Sequence, residues 1–174
     1  MRGIRAEGLE HIPPRGRVIV ASNHVSIIDP PLVGSMLGWT RYPRFLAKEE
    51  LFRFAPLGAL FKSWGAIPLD RGRGDVGAIR SALEVLEGEG CLVLFPEGTR
   101  ARGGRLLRPK PGVAMLAQRT GAPVVPVRVR DTESLLQKGP MRIRFGAPMR
   151  YEGGTGREEF QRFADRVMEE IRKL

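Results

Sequence analysis

The chain is poor in residues that usually mark a site. Its 174 residues include one cysteine, two histidines and one asparagine. Cys91, in the apolar run CLVLF, can close no internal disulfide, and no Cys/His spacing of the metal-binding kind occurs. This excludes a disulfide-stapled scaffold and a zinc module, and predicts a core-filling Cys91 in a reduced compartment. No apolar run approaches the ~20 residues that a spanning helix requires. The opening MRGIRAEGLEHIPPRG lacks an apolar stretch, so no signal peptide is expected. Aromatics make up 7% of residues, with no RNP-like aromatic strand and no helix-turn-helix pattern, which argues against nucleic acid as a partner.

What is present is ordinary in bulk and unusual in charge. Hydrophobic residues at 42% and charged residues at 28% describe a globular chain, read as one domain over 1–174. Lys plus Arg number 29 against 19 Asp plus Glu, a net charge of +10. Such a surface attracts polyanions, anionic lipid headgroups among them. Most of the cations are arginine, whose planar fork suits bidentate phosphate contacts.

Strand-like runs fall at 17–22, 44–47, 64–69, 91–96, 124–130 and 141–146, several of them apolar throughout, as in strands covered on both faces. Helical spacing appears in DVGAIRSALEVLE and in GVAMLAQRT, which Gly121 should close. The C-terminal segment carries a stripe of Phe160, Phe163, Ala164, Val167, Met168, Ile171 and Leu174. The alternation predicts an α/β layered domain, a mostly parallel central sheet flanked by helices. Ligands of such sheets sit beyond the carboxyl ends of the strands.

Three of those ends carry chemistry. After the first long strand comes ASNHVSIIDPP, which sets the only asparagine, Asn23, against His24, with Asp29 five residues on. Asp29 before two prolines suits a helix start, so it reads either as a helix cap or as the partner that fixes the tautomer of a general base. No Gly-x-Ser-x-Gly elbow accompanies the pair, so the expected nucleophile is a hydroxyl on the substrate. After the strand CLVLF comes PEGTRARGGR. There Gly98 would allow a tight loop, Thr99 and backbone amides would bind an oxyanion, Arg100 would take a phosphate, and Glu97 would hold Arg100 in place. A third strand end, GAIPLDR, offers Arg71.

These stretches resemble, in order, the blocks of the glycerophospholipid acyltransferases, most of all the bacterial 1-acyl-sn-glycerol-3-phosphate acyltransferases. NHVSIIDP is similar to their His-x-x-x-x-Asp block and GAIPLDR to their Gly-x-Ile-x-x-x-Arg block. FPEGTR matches the third block, and APVVPV (122–127) resembles the fourth. The second block departs from the common Phe-Ile-x-Arg ending by reading PLDR. The resemblance implies that His24, paired with Asp29, deprotonates a glycerol hydroxyl that attacks an acyl thioester directly, with no acyl-enzyme, no metal and no cofactor. It implies that Arg71 and Arg100 meet the glycerol phosphate, that Glu97, Gly98 and Thr99 shape the loop, and that Lys48 and Lys110 stand nearby.

The implied reaction is acyl transfer from acyl-coenzyme A or acyl-acyl carrier protein to the sn-2 hydroxyl of lysophosphatidate. The expected setting is a cytoplasmic protein peripheral on the inner face of the cell membrane and drawn to an anionic surface. Two rival readings are another lyso-lipid acceptor, as in lyso-ornithine lipid synthesis or lysophospholipid transacylation, and a non-enzymatic polyanion-binding module. Segment 50–64, ELFRFAPLGALFKSW, is expected either to dip into a membrane interface or to form a buried helix pair broken at Pro56.

Overall fold

The computed structural model describes residues 3–38, 41–69, 74–101, 105–133 and 139–174. Seven strands form one sheet: β1 (Ile4–Glu7), β2 (Val18–Ser22), β3 (Pro43–Lys48), β4 (Ala66–Leu69), β5 (Cys91–Leu94), β6 (Val124–Arg130) and β7 (Met141–Phe145). Their order is β1-β7-β6-β2-β5-β3-β4. β6, β2, β5, β3 and β4 run parallel, and β7 turns back antiparallel to β6, with β1 parallel to β7. β1, missed by the apolar pattern, is a largely exposed edge strand held by its ladder to β7.

The alternation along each central strand divides two cores. Ile19, Ala21, Leu92 and Val124 face α3 (Gly74–Glu87), α4 (Gly112–Thr120) and α5 (Arg157–Lys173). Val18, Val20, Val93 and Val125 face α1 (Asp29–Leu37) on the other side. Strands buried on both sides explain why β2 reads as an unbroken apolar run. The C-terminal stripe is packing: Phe163, Ala164, Val167, Met168 and Ile171 of α5 are buried, each large one contributing about 1.5–3 kcal/mol. Gly121 closes α4 in the left-handed conformation, φ 68°.

Segment 50–64 matches neither expectation in full. A 3-10 turn spans Glu49–Phe52, and α2 (Ala55–Ser63) takes Pro56 into its first turn, so the proline starts this helix and does not break one. Phe52 and Phe61 lie half-buried against the α1-side core, whereas Phe54, at the helix start, is 68% exposed. The parallel register has one further result. The chain leaves β2, β3, β4, β5 and β6 along a single edge of the sheet.

Candidate active site

At that edge β2 gives way to Asn23, buried beside the end of β6. Its side-chain amide pairs with the backbone of Val129 in both directions, donating to the carbonyl at 3.0 Å and accepting from the N–H at 2.7 Å. The side chain thus continues the β2–β6 ladder for one more step while the main chain turns away. That turn delivers His24.

Four donors converge on Asp29. Its Oδ2 lies 3.0 Å from Nδ1 of His24 and accepts the N–H groups of Val25 and Ser26, each at 2.7 Å. The hydroxyl of Thr132, two residues beyond β6, donates to Oδ1 at 2.7 Å. The carboxylate is fully buried, and these bonds offset the cost of taking it out of water. Asp29 is the first residue of α1, and its carboxylate reaches back to the loop. It therefore makes no N-cap, and the helix-cap reading falls. With Nδ1 held, Nε2 is the ring nitrogen left for a substrate. The imidazole stacks on Phe95, centroids 4.3 Å apart.

Glu97 corrects an expectation. It does not hold Arg100. Its buried carboxylate accepts the backbone N–H of His24 at 3.0 Å through Oε1, and that of Leu107 at 2.7 Å through Oε2. The carbonyl of His24 in turn accepts the N–H of Ala101 at 2.7 Å. Both backbone groups of His24 are therefore tied to the loop after β5, which sets the height of the ring above the sheet. The sequence pairs Glu97 with Arg100 because they are neighbours, but a buried carboxylate seeks N–H groups, and exposed Arg100 is free to meet solvent or ligand.

Gly98 turns with φ 69°, and a Cβ there would come within 3.1 Å of the Lys110 side chain. Only glycine lets the Lys110 stem lie across the loop without strain. Thr99 and Lys110 are exposed like Arg100. Lys48 is the last residue of β3, at the same edge. Arg71 lies outside the described residues. Thr132 and Phe95 were missed by the sequence reading. Thr132 sits in an unremarkable RDTE and reaches Asp29 across 103 residues, through the β2–β6 register alone.

An acyltransferase family profile matches residues 3–130, most of the chain. The chain belongs to the acyltransferase family. A solved member, the 1-acyl-sn-glycerophosphate (LPA) acyltransferase PlsC from Thermotoga maritima, superposes with a TM-score of 0.79 at 31% identity, covering 99% of this chain and 70% of that one. The chloroplastic 1-acyl-sn-glycerol-3-phosphate acyltransferase LPAT1 of Arabidopsis thaliana is 31% identical over 78% of this chain and 38% of its own length. The 1-acyl-sn-glycerol-3-phosphate acyltransferase of Bacillus subtilis is 28% identical over 84% of this chain and 74% of its own. Against the plant relatives the chain spans between 38% and 50% of their length. The layered α/β sheet expected from the sequence is the fold that this chain shares with the Thermotoga maritima protein.

Proposed function

We propose that the chain transfers an acyl group from a thioester to the sn-2 hydroxyl of lysophosphatidate, forming phosphatidate. The observation that carries the reading is the buried carboxylate of Asp29 set on Nδ1 of His24 at the open edge of the sheet. A histidine so held presents Nε2 as a general base, and the carboxylate stabilises the imidazolium that forms. The acceptor hydroxyl loses its proton to Nε2 as its oxygen bonds to the thioester carbonyl carbon. The tetrahedral intermediate then breaks the C–S bond, and the thiolate leaves with the proton returned by the imidazolium. No acyl-enzyme forms, because the nucleophile belongs to the acceptor.

Arg100, with Arg71, takes the acceptor phosphate, and Lys48 and Lys110 add positive charge beside it. The names of the relatives above, all acting on 1-acyl-sn-glycerol-3-phosphate, support this acceptor. The donor is acyl-coenzyme A or acyl-acyl carrier protein, and the protein works on the inner face of the cell membrane as a peripheral enzyme. The deciding experiment follows free thiol release from each donor with and without lysophosphatidate. Acceptor-dependent release and a phosphatidate product are expected. Release that ignores the acceptor, or no release from either donor, would overturn the reading. Cys91 adds little background to such an assay, being buried with its thiol pushed up to about 11 by that burial.

A further inference from the structure

Beyond the end of α5, the sheet face that packs on this helix runs into an arginine cluster to which the proposed acyl transfer assigns no role. β6 and β7 pair with Arg128 opposite Arg144 and Arg130 opposite Arg142, and β1 extends the row by setting Arg5 opposite Arg142. Residues paired in register share a face, and like charges placed directly across a ladder repel. Partners within the fold cover only part of this charge. Glu7 takes Arg144 at 2.8 Å and Asp131 takes Arg142 at 2.9 Å, while a terminal carboxylate oxygen of Leu174 accepts from Arg144 at 3.2 Å.

Arg128 and Arg130 enter no ion pair among the described residues. Nε and Nη1 of Arg128 are buried with no hydrogen-bond partner. Burial first, and Arg130 second, pull its guanidinium below the ordinary arginine range. A merely solvated arginine keeps its whole fork in water along an apolar stem, whereas two of the three guanidinium nitrogens of Arg128 are withdrawn from it. Arg128, Arg130, Arg142, Arg144 and Leu174 enclose a cavity of about 20 Å³, room for an oxygen atom of a ligand but not for a ring.

We propose that this cluster binds one phosphate group. Two neighbouring strands and two alternate positions along each set the four guanidinium stems on a patch of roughly 5 by 7 Å, from which several forks can reach one tetrahedral oxyanion. Phosphate brings enough acceptor oxygens for several forks at once and a charge that offsets the cross-strand repulsion. A lone carboxylate brings two oxygens and one charge. The phosphate is that of a phospholipid headgroup or of the acyl donor, the same chemistry from two sources.

Calorimetric titration with inorganic phosphate against chloride at equal ionic strength tests the site, in an Arg71→Gln, Arg100→Gln background that removes both guanidinium contacts proposed for the acceptor's own phosphate. Phosphate should bind there, and adding Arg128→Gln with Arg130→Gln should weaken it at least tenfold. The single Arg130→Gln, at an exposed position, should weaken it several-fold and serves if the double variant misfolds. In low salt without phosphate, Arg130→Gln should melt no lower than its parent, since it removes a repulsion; a plain structural arginine would give the opposite. Coenzyme A and phosphatidylglycerol/phosphatidylcholine vesicles, each used as a competitor, separate the two sources. No phosphate binding above chloride, binding that survives Arg130→Gln unchanged, or competition from neither source would overturn the proposal. Turnover enters none of these readouts, so their failure leaves the acyl-transfer reading standing.

Discussion

At the residue scale the site depends on a carboxylate that cannot tolerate a lost donor. His24→Ala should lower kcat by about 10²–10⁴-fold in a protein that still folds, with a stability loss no larger than the about 1–3 kcal/mol of one donor withdrawn from Asp29. A folded His24→Ala protein with near-full turnover would remove His24 from the chemistry. Thr132→Val leaves Oδ1 of Asp29 without its hydroxyl, a loss of about 1–3 kcal/mol in stability together with a fall in kcat. Thr132→Ser should restore both, which separates the hydroxyl from the shape of the side chain. Arg100→Ala should raise KM for lysophosphatidate roughly ten- to a hundredfold and leave the donor KM near its starting value, as one lost charge-assisted contact of about 1.5–3 kcal/mol implies. Equal rises in both KM values would make Arg100 a general surface charge.

At the element scale the 3-10 turn and α2 split the two phenylalanines that the sequence treats alike. Phe52 packs on the core beside Phe61, ring centroids 6.1 Å apart, while Phe54 points to solvent. Phe52→Ser should destabilise the fold by about 1–2 kcal/mol, the share of a half-buried ring. Phe54→Ser should leave the melting midpoint unchanged and weaken attachment to vesicles; unchanged attachment would take α2 out of the interface. The apolar runs of the parallel strands, the stripe of α5 and the Gly121 stop of α4 were legible because burial on both faces and helical spacing write themselves into composition. β1 was not, because an edge strand of alternating charge draws its stability from a partner far along the chain. The His24–Asp29 pair was legible from five residues of spacing and the prolines behind it. The bond from Thr132 and the true partners of Glu97 depend on which loops the register brings together, and no local pattern records that.

At the scale of the whole molecule, the most exposed apolar side chains gather towards the edge that carries His24. Among the described residues the three most exposed large apolar side chains are Val76, Phe54 and Ile27, and each stands where the chain has just left a strand at this edge. No described helix is long and apolar enough to cross a membrane. Docking through this edge, helped by the net charge of +10, would set the acceptor's hydroxyl at the base. Each Lys or Arg near an anionic leaflet contributes about 1 kcal/mol, and the attraction decays within a Debye length. Vesicles rich in phosphatidylglycerol should therefore bind the protein, neutral vesicles should bind it weakly, and high salt should release part of it, leaving the apolar component. Equal binding to both kinds of vesicle at every salt concentration would refute the electrostatic part.

Asn23 also bears on how long the molecule lasts. Asparagine is among the residues that wear out with heat and time, its side-chain carbonyl carbon being attacked by the backbone nitrogen of the residue that follows. In this chain the only asparagine stands directly before the proposed base, so one such event would install an acid where Val129 expects an amide. Both reactants are restrained. The amide oxygen is engaged by the Val129 N–H at 2.7 Å, and the attacking nitrogen, that of His24, has its hydrogen committed to Glu97 at 3.0 Å. The contacts that aim the imidazole thus also pin both reactants, so that the side-chain carbon of Asn23 can meet the His24 nitrogen only where the Val129 or Glu97 bonds let go.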